Sequence, residues 1–324
     1  MTLSDKVIIE VGINENRSRD QNPHVPLTPE EVAADARRCC DAGAAVVHYH
    51  GRGPAGEIHD DEPETNIRTQ RLVNSASSIV AYPTYGNMCK VFDGWYTIGG
   101  PAAQRYRHFV AGVAAGVRFE LAPIDLGAAL DINAFRAAGG GGDHLKALGA
   151  DGAGGEWIVS SGHQINTGED HRWLTAFCQQ HHLKITFAVF DTVHLQNLRN
   201  IVDMGWIDGG HMLVKLFFLG DNEGPRKLLY YVDRMRELFP RSAIEWLPVV
   251  YGGSQWRMNT LALSLGGHVR VGLGDHPYTD LGNPTNAQLV ERMAAICRAM
   301  GREPATPDEA RRILAIDAAR AGRQ

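Results

Sequence analysis

Eight short apolar runs recur along this 324-residue chain, and most of them are separated by enough residues to form a helix. Each run has the length of a buried strand and is followed by residues that are common in turns. Strands that alternate with helices are typical of parallel α/β folds. We therefore predict a (β/α)8 TIM barrel, with an open doubly wound sheet as the alternative. The predicted strands lie near residues 7–11, 44–50, 79–83, 117–121, 183–190, 212–218, 244–250 and 268–273.

The chain is expected to form one barrel domain over residues 1–324. Its first helix has a clear start, because Thr28 is a suitable N-cap, Pro29 occupies the first helical position and Glu31 completes a capping box. A glycine-rich segment near residues 139–155 lacks the spacing of a phosphate-binding loop and is interpreted as a flexible excursion. The chain ends in a helical tail, which we expect to pack outside the barrel or on a neighbouring subunit.

The composition limits the partners of this chain. There are 32 Lys and Arg against 37 Asp and Glu, which gives a net charge of −5 without a basic run, so neither nucleic acid nor an anionic membrane surface is expected as a partner. The polar first residues, and the lack of an apolar stretch as long as a membrane span, predict a cytoplasmic protein without a signal peptide. The five cysteines have no CxxC spacing and are interpreted as reduced thiols.

The second predicted strand ends in two histidines, His48 and His50. Side chains two residues apart in a strand point to the same side, about 6 to 7 Å apart, so both imidazoles can reach one metal ion. A His-x-His match by itself also occurs at ordinary strand ends. The apolar residues before the pair, and the turn signals Arg52 and Gly53 after it, place the histidines where a buried strand emerges. Parallel α/β folds build their sites at such positions.

Polar side chains stand at or after the ends of the other predicted strands as well, and a barrel would gather them at one face. We expect Asn14, Glu15, Thr84 and Glu120 to contact a substrate there. For any one residue outside the histidine pair, a structural ion pair inside the barrel is the alternative interpretation. The polar residues at these strand ends are Glu10, Asn14, His48, His50, Thr84, Glu120, Asp191, Lys215, Asp275 and His276.

Several motifs occur in a fixed order along most of the chain. They are Asn22-Pro23 before Pro26-x-Thr28-Pro29-Glu30-Glu31, Ala42-Gly43-Ala44 before His48-x-His50-x-Arg52, Val189-Phe190-Asp191, Gly266-Gly267-His268-Val269-Arg270-Val271-Gly272, and Ala305-Thr306-Pro307-x-Glu309-Ala310-Arg311. Together they resemble the motifs of the beta-keto acid cleavage enzymes, a family of zinc-dependent barrels. Ordered motifs at the expected separations are far more specific than His-x-His alone.

This resemblance implies a zinc ion that is bound by the two histidines and a glutamate and that holds a β-keto acid. In such enzymes the α-carbon of the acid is deprotonated and attacks the thioester of acetyl-CoA. After CoA transfer, a retro-Claisen step gives acetoacetate and a new CoA ester. Carried over to this sequence, the resemblance implies His48 and His50 as metal ligands, and Arg270 and Asp275 as the charge-paired catalytic groups that serve proton transfer.

The chain departs from the family pattern at the third metal ligand. Gly274 stands where the family usually has a glutamate, so another residue must complete the shell. We take His276 as the first candidate, with Glu10 and Glu15 as the next ones. A second departure lies at residues 184–188, where the family tends to have glutamates. The substrate, and with it the reaction, can therefore differ from those of the family.

Three functional hypotheses follow. The leading one is a zinc-dependent cleavage enzyme that condenses a β-keto acid with acetyl-CoA and assembles as a homo-oligomer, a dimer or a tetramer. The second is a barrel that uses the same ion for aldol-type cleavage or hydrolysis without CoA, and a thioester requirement in turnover separates it from the first. The third is a non-catalytic barrel that binds a small acid, for which little bound metal is expected.

Overall fold

The structure is a computed structural model, and it describes residues 5–15, 17–53, 56–86, 89–92, 95–98, 101–127, 129–136, 157–164, 166–219 and 224–316. Its strands are β1 (Lys6–Val7), β2 (Ile9–Gly12), β3 (Val46–Tyr49), β4 (Val80–Pro83), β5 (Cys89–Phe92), β6 (Trp95–Ile98), β7 (Leu121–Asp125), β8 (Ala129–Arg136), β9 (Trp157–Gln164), β10 (Lys184–Val189), β11 (His211–Leu219), β12 (Ala243–Tyr251), β13 (Val269–Val271) and β14 (Glu303–Pro304). Its helices are α1 (Pro29–Ala42), α2 (Pro63–Ala76), α3 (Ala102–Arg105), α4 (Arg107–Ala114), α5 (Gly168–Gln180), α6 (Thr192–Asp203), α7 (Pro225–Leu238), α8 (Gln255–Ser264), α9 (Asn286–Ala299) and α10 (Pro307–Ile313).

Eight parallel strands form the barrel. Their ladders run in the orders β13-β2-β3-β4 and β12-β11-β10-β7. One seam between the two sets is bridged by the backbone, because His268 N donates to Trp246 O of β12 at 2.8 Å. The other seam is bridged by the side chain of Gln70 on α2, whose Nε2 donates to the carbonyl oxygens of Ala81 and Arg118 at 3.1 and 3.2 Å. This is the predicted (β/α)8 TIM barrel and not the open doubly wound sheet.

Apolar side chains alternate between the inside and the outside of the barrel along each strand. On β11, Leu213 and Phe217 belong to the cluster inside the barrel, whereas Val214 and Leu216 belong to a cluster between the strands and the helices. A second outer cluster covers β2, β3 and β13 with side chains of α1 and α9. Burial of the outer face by helices explains why the strands read as nearly continuous apolar runs.

The fourth barrel strand lies later in the chain than the sequence predicts. The strand expected at residues 117–121 is wrong, because β7 begins at Leu121 and runs through Pro123. Proline is uncommon inside strands, and this hid the extent of β7. Glu120 therefore lies at the N-terminal end of the barrel and not at the face where the histidines emerge. There it accepts two hydrogen bonds from Arg311, at 2.8 and 2.9 Å.

The C-terminal helix α10 packs against the N-terminal end of the barrel. Ala310, Ile313 and Leu314 belong to the same apolar cluster as Ile8 and Leu213, whose side chains lie inside the barrel. The ion pair between Arg311 and Glu120 lies at this end as well. The tail was expected to pack outside the barrel or on a neighbouring subunit. Its helix covers the N-terminal end of the barrel, and a contact with a neighbouring subunit stays a prediction.

Some elements have no counterpart among the predictions. A (β/α)8 barrel implies helices such as α2, α6 and α9, but no sequence pattern was assigned to them. Asp191 is the N-cap of α6, where its side chain accepts from Val193 N. Strands β5, β6, β9 and β8 form a further sheet with two antiparallel pairs, which is separate from the eight barrel strands. The glycine-rich residues 139–155 lie outside the described residues. Within the described ranges, no helix combines the length and apolar character that crossing a membrane requires.

Candidate metal centre

The histidine pair lies at the C-terminal end of β3. His48 is in the strand and His50 follows it directly, and both are buried. Their ring centroids are 5.4 Å apart, with an angle of 82° between the ring planes. The His48 ring also packs on the ring of Tyr82 from β4, at a centroid distance of 4.7 Å. The strand thus holds both imidazoles on one side, as its period of two requires.

The loop after β2 brings a carboxylate to this pair. Glu15 Oε2 lies 2.6 Å from His50 Nε2, and Glu15 Oε1 lies 3.4 Å from His48 Nε2. In the part of the chain that the structure describes, these three residues are the group whose ligand atoms all lie within 4.8 Å of one another. Glu15 has a φ of 39°, a left-handed conformation that is uncommon for a residue with a Cβ atom. Conformations of this kind persist where surrounding contacts hold them, often at functional sites.

The donor set fits a divalent metal ion. Two imidazole nitrogens and a carboxylate are a common ligand set for zinc and for other divalent first-row metals. On the side of His50 away from Glu15, its Nδ1 lies 3.0 Å from Asp60 Oδ1. Carboxylates that orient a ligand histidine in this way are characteristic of metal sites and raise the basicity of the ligand. The structure therefore offers both the ligands and one outer-shell partner.

The protonation states of the ligands follow from burial and from neighbouring charges. Burial lowers the pKa of His48 well below its usual value, so this imidazole is neutral at pH 7. Burial also disfavours a charged His50, but the carboxylates of Asp60 and Glu15 raise the pKa of His50 to about 9. Burial alone would raise the pKa of Glu15, but the charges of His50 and Arg270, together with the neighbouring His48, hold it well below its usual value. Glu15 is thus ionised, as a metal ligand must be.

Arg270 on β13 connects the metal ligands to two further carboxylates. Its Nε and Nη2 donate to the two oxygens of Asp275 at 2.9 and 2.7 Å, and its Nη1 donates to Glu10 Oε1 at 2.6 Å. Nη2 also contacts Glu15. Asp275 accepts a further hydrogen bond from Gln255 Nε2 at 2.7 Å. Burial raises the pKa of Asp275, and the charge of Arg270 opposes that rise.

Two side chains hold the loop that carries Glu15. Asn14 was expected to contact substrate, and in the structure its amide is bonded to the backbone of His50: Oδ1 accepts from His50 N at 2.9 Å and Nδ2 donates to His50 O at 3.0 Å. Arg52 donates to the carbonyl oxygen of Glu15 and, at 3.1 Å, to that of Arg17. The loop after β2 is therefore fixed to the end of β3 by Asn14, which directly precedes Glu15, and by Arg52, which follows His50 by two residues.

Gly274 leaves the space that Glu15 fills. A Cβ atom on Gly274 would lie 2.5 Å from Glu15 Cγ and 2.8 Å from Glu15 N. The carbonyl oxygens of Gly274 and Asp275 accept hydrogen bonds from Arg17 at 3.0 and 2.9 Å, which tie the loop after β13 to the loop after β2. Glu15 thus fills the space that a side chain at position 274 would occupy, and position 274 is where the resemblance implies a glutamate.

Below the metal ligands, a chain of hydrogen bonds crosses the barrel interior. Lys215 Nζ donates to the hydroxyl of Tyr82 at 2.8 Å, and this hydroxyl donates to Glu10 Oε1 at 3.0 Å. At the opposite wall, the hydroxyl of Tyr251 donates to Glu15 Oε2 at 3.2 Å. Polar and charged groups thus line the C-terminal half of the interior, whereas the N-terminal half is apolar.

Two other predicted site residues lie apart from the ligand group. His276 Nε2 is 4.0 Å from Asp280 Oδ1, and its ring packs edge-on against Tyr278 at 4.6 Å. The structure thus brings Glu15, and not His276, to the histidine pair. Thr84 directly follows β4, and its carbonyl oxygen is 2.9 Å from Nε2 of the buried His108. This contact uses the backbone of Thr84, and a contact between its side chain and a substrate stays a prediction.

Several site residues were not singled out by the sequence. Tyr82 lies two residues before Thr84 in the strand pattern, so period-two alternation could have placed it inside the barrel. Tyr251 is the last residue of β12, and the alternation along that strand could have placed it inside the barrel as well. Asp60 and Arg17 lie in loops, where no periodic pattern shows which way a side chain points. Their contacts depend on how separate loops meet at the barrel end.

The chain matches a known protein family along almost its entire length. The family model of the beta-keto acid cleavage enzyme matches residues 6–316. The chain belongs to the beta-keto acid cleavage enzyme family. This confirms the resemblance drawn from the ordered motifs. The buried ligand group is therefore the candidate active site of this enzyme.

Curated relatives match along nearly the whole enzyme. It is 25% identical over 317 residues to the 3-keto-5-aminohexanoate cleavage enzyme of Fusobacterium nucleatum, with 97% of this chain and 99% of the relative covered. It is 26% identical over 323 residues to the 3-oxoadipate:acetyl-CoA acetyltransferase of Cupriavidus necator, with coverage of 97% and 96%. The relatives are named enzymes, and the expectation that this protein is an enzyme is confirmed.

Solved structures support the fold. ObcA in its apo form has a TM-score of 0.66 and 15% identity, with 90% of this chain and 66% of ObcA covered, so the enzyme spans about two thirds of that protein. Tryptophan synthase of Mycobacterium tuberculosis has a TM-score of 0.53 and 13% identity, with coverage of 91% and 94%. At these identities the similarity concerns the barrel architecture alone.

Gly274→Ala is expected to destabilise the loop that carries Glu15, because the added Cβ overlaps the Glu15 Cγ and backbone nitrogen. Overpacking of this kind costs about 1 to 3 kcal/mol. The free energy of unfolding, measured by urea denaturation, gives this cost. Gly168→Ala is the matched control, because a Cβ there meets nothing within 4 Å. Equal stability of the two variants would contradict the close packing of Gly274 on Glu15.

Proposed function

We propose that this enzyme uses zinc to condense a β-keto acid with acetyl-CoA, and that it releases acetoacetate and the CoA ester of the remaining acyl group. The observation that carries the proposal is the buried group of Glu15, His48 and His50 inside a barrel of this family. Relatives named as an acetyl-CoA acetyltransferase and as a keto acid cleavage enzyme support the reaction type.

The reaction balances without an oxidant or a reductant. The α-carbon of the keto acid loses a proton and forms a bond to the acetyl carbonyl carbon as the CoA thiolate leaves. The thiolate then adds to the ketone carbon of the original acid. The bond between that carbon and the α-carbon breaks, and acetoacetate leaves after the α-carbon regains a proton.

The proposed ligands are Glu15, His48 and His50, with Asp60 orienting His50. A bound divalent ion would act as a Lewis acid that stabilises negative charge on the oxygens of the keto acid. Because Arg270 holds Glu15 and Asp275 together, we assign proton transfer to the pair of Arg270 and Asp275. Burial favours the protonated form of Asp275 and Arg270 favours the ionised form, which suits a group that must exchange a proton.

The thioester requirement tests the reaction. Purified enzyme is supplied with zinc and incubated with a panel of β-keto acids, with and without acetyl-CoA, and the products are identified by mass spectrometry. We expect acetoacetate and a new acyl-CoA only when both substrates are present, and no product after zinc is removed with a chelator. Cleavage of the keto acid without acetyl-CoA would support the CoA-independent lyase or hydrolase instead.

The metal ligands are tested by metal affinity. His48→Ala and Glu15→Gln are expected to weaken zinc binding by more than about 100-fold, and Asp60→Asn by about 10- to 100-fold, because an outer-shell partner orients a ligand without binding the ion. Competition with a chromophoric chelator measures each affinity. His276→Ala is the informative comparison and is expected to retain zinc. Loss of zinc in His276→Ala, with zinc retained in Glu15→Gln, would reverse the assignment of the third ligand.

Asp275→Asn is expected to lower kcat by roughly two to four orders of magnitude while zinc remains bound, because the amide cannot accept the proton. Steady-state kinetics with a saturating keto acid, together with elemental analysis, measure both quantities. Glu245→Gln is the matched control, since Glu245 is bonded to His268 near the other end of the barrel. If kcat in Asp275→Asn stays close to the wild-type value, the assigned role in proton transfer is wrong.

The identity of the metal as zinc, the cytoplasmic location and the assembly into a dimer or tetramer stay predictions of the sequence. Light scattering coupled to gel filtration measures the assembly. Elemental analysis of protein purified without added metal identifies the ion.

A further inference from the structure

Lys215 enters the barrel interior from the middle of β11. Its neighbours two residues away, Leu213 and Phe217, belong to the interior apolar cluster, so strand alternation places the lysine side chain inside as well. Lys215 is 2% exposed. Lysine is almost never buried to this extent unless a carboxylate pairs with it, because taking an ammonium out of water is costly.

The contacts of Lys215 do not include such a carboxylate. Within the described residues, its Nζ donates to the hydroxyl of Tyr82 at 2.8 Å and forms no ion pair. The other close groups are aromatic: Nζ lies 5.0 Å from the ring centroid of Tyr82 and 5.8 Å from that of Phe217. An ammonium has three donors. One of them is used by the tyrosine. The charge is balanced only at a distance, by Glu10 on the far side of that hydroxyl and by Glu15 and Asp125.

A closed series of contacts places this ammonium beside the metal ligands. The ring of Tyr82 packs on His48 on one side and carries Lys215 on its hydroxyl. In the other direction Phe217 packs on Tyr251 at 5.4 Å, and the hydroxyl of Tyr251 donates to Glu15. The lysine and the ligand group therefore line one part of the interior. The charge of Lys215 is close enough to help lower the pKa of His48.

We infer that Lys215 binds the carboxylate of the β-keto acid and fixes its orientation beside the metal ligands. The inference rests on the proposed function. A substrate carboxylate supplies the anion that the buried ammonium lacks, and a hydrogen bond between charged groups in such surroundings is short and strong. Every β-keto acid has this carboxylate, whatever its side chain. Lys215 therefore accounts for recognition of the acid as a class, and it leaves selection among side chains to other residues.

Acetoacetate is the appropriate probe, because the proposed reaction releases it from any keto acid. Its methyl ester keeps the 3-oxobutanoyl group, adds one methyl group and lacks the negative charge. Binding of both compounds to the zinc-loaded enzyme is measured by isothermal titration calorimetry for the wild type, for Lys215→Met and for Lys184→Met. Lys184 is the matched control, since it lies at the start of β10 and is bonded to His211, away from the ligand group.

We expect Lys215→Met to weaken acetoacetate binding by about 10- to 100-fold, the range for a hydrogen bond between charged groups. Binding of the methyl ester and the zinc content should stay unchanged, and Lys184→Met should bind both compounds as the wild type does. Lys215→Gln, which keeps a donor without the charge, serves as a second variant and should lose affinity in the same direction. A purely structural role of Lys215 would weaken binding of the acid and the ester equally.

Two further results would overturn the inference without touching the proposed function. One is acetoacetate affinity at the wild-type level in a folded, zinc-containing Lys215→Met or Lys215→Gln. The other is borohydride reduction of the wild-type complex that attaches acetoacetate covalently to Lys215, because the amine would then act as a nucleophile and not as a charged contact. Failure of acetoacetate to bind the wild type at all would overturn both proposals.

Discussion

The buried charge of Arg270 is the constraint on which the rest of the site depends. Its guanidinium is fully buried and contacts the carboxylates of Glu10, Glu15 and Asp275. A buried ion without partners would cost several kcal/mol, so the fold must bring all of these groups together or none of them. Glu10 belongs to the first barrel strand and Arg270 to the last, which are hydrogen-bonded neighbours. The charge network and the pairing of the two ends of the chain therefore reinforce each other.

The same network decides where the third proposed metal ligand comes from. Glu15 is held by Arg270 and Tyr251 on one side and faces both histidines on the other. Its unusual backbone conformation is compatible with this position because Gly274 leaves the necessary space. A carboxylate at position 274 and one at position 15 would compete for that space. The family pattern places the third ligand after the last barrel strand, where this chain has Gly274. Under our proposal, the loop after the first barrel strand supplies that ligand instead, as Glu15.

The two halves of the barrel interior differ in polarity and in role. Its N-terminal half is apolar and is closed by α10, with the ion pair of Arg311 and Glu120 at the rim. Its C-terminal half holds the ligand group, the network around Arg270 and the lysine on β11. This division separates stability from chemistry, as is typical of TIM barrels, in which catalytic groups come from the C-terminal ends of several strands. Under our proposal, the positive charge of Lys215 and of a divalent ion would face a keto acid from two sides.

Sequence patterns predicted the parts of this enzyme that depend on local chain geometry. The apolar runs and their alternation with helices predicted the barrel, the capping box at Thr28 marked the start of α1, and the spacing of His48 and His50 placed both rings on one side of a strand. The period of a strand and the capping of a helix are set by residues that are near one another in sequence, so a single chain shows them. Glu120 was misplaced because a proline interrupted the strand pattern that would have located it.

Only the tertiary structure shows which residues from separate parts of the chain come into contact. Glu15 and Gly274 are separated by most of the chain, and no spacing indicates that one fills the space of the other. The same holds for Asp60 beside His50 and for Lys215 beside Tyr82. These contacts arise when separate strands close into a barrel and their C-terminal loops are forced to share one end. The sequence therefore determined the fold, the family and two of the proposed ligands, whereas only the closed barrel brought Glu15 to the histidines and buried Lys215 against Tyr82.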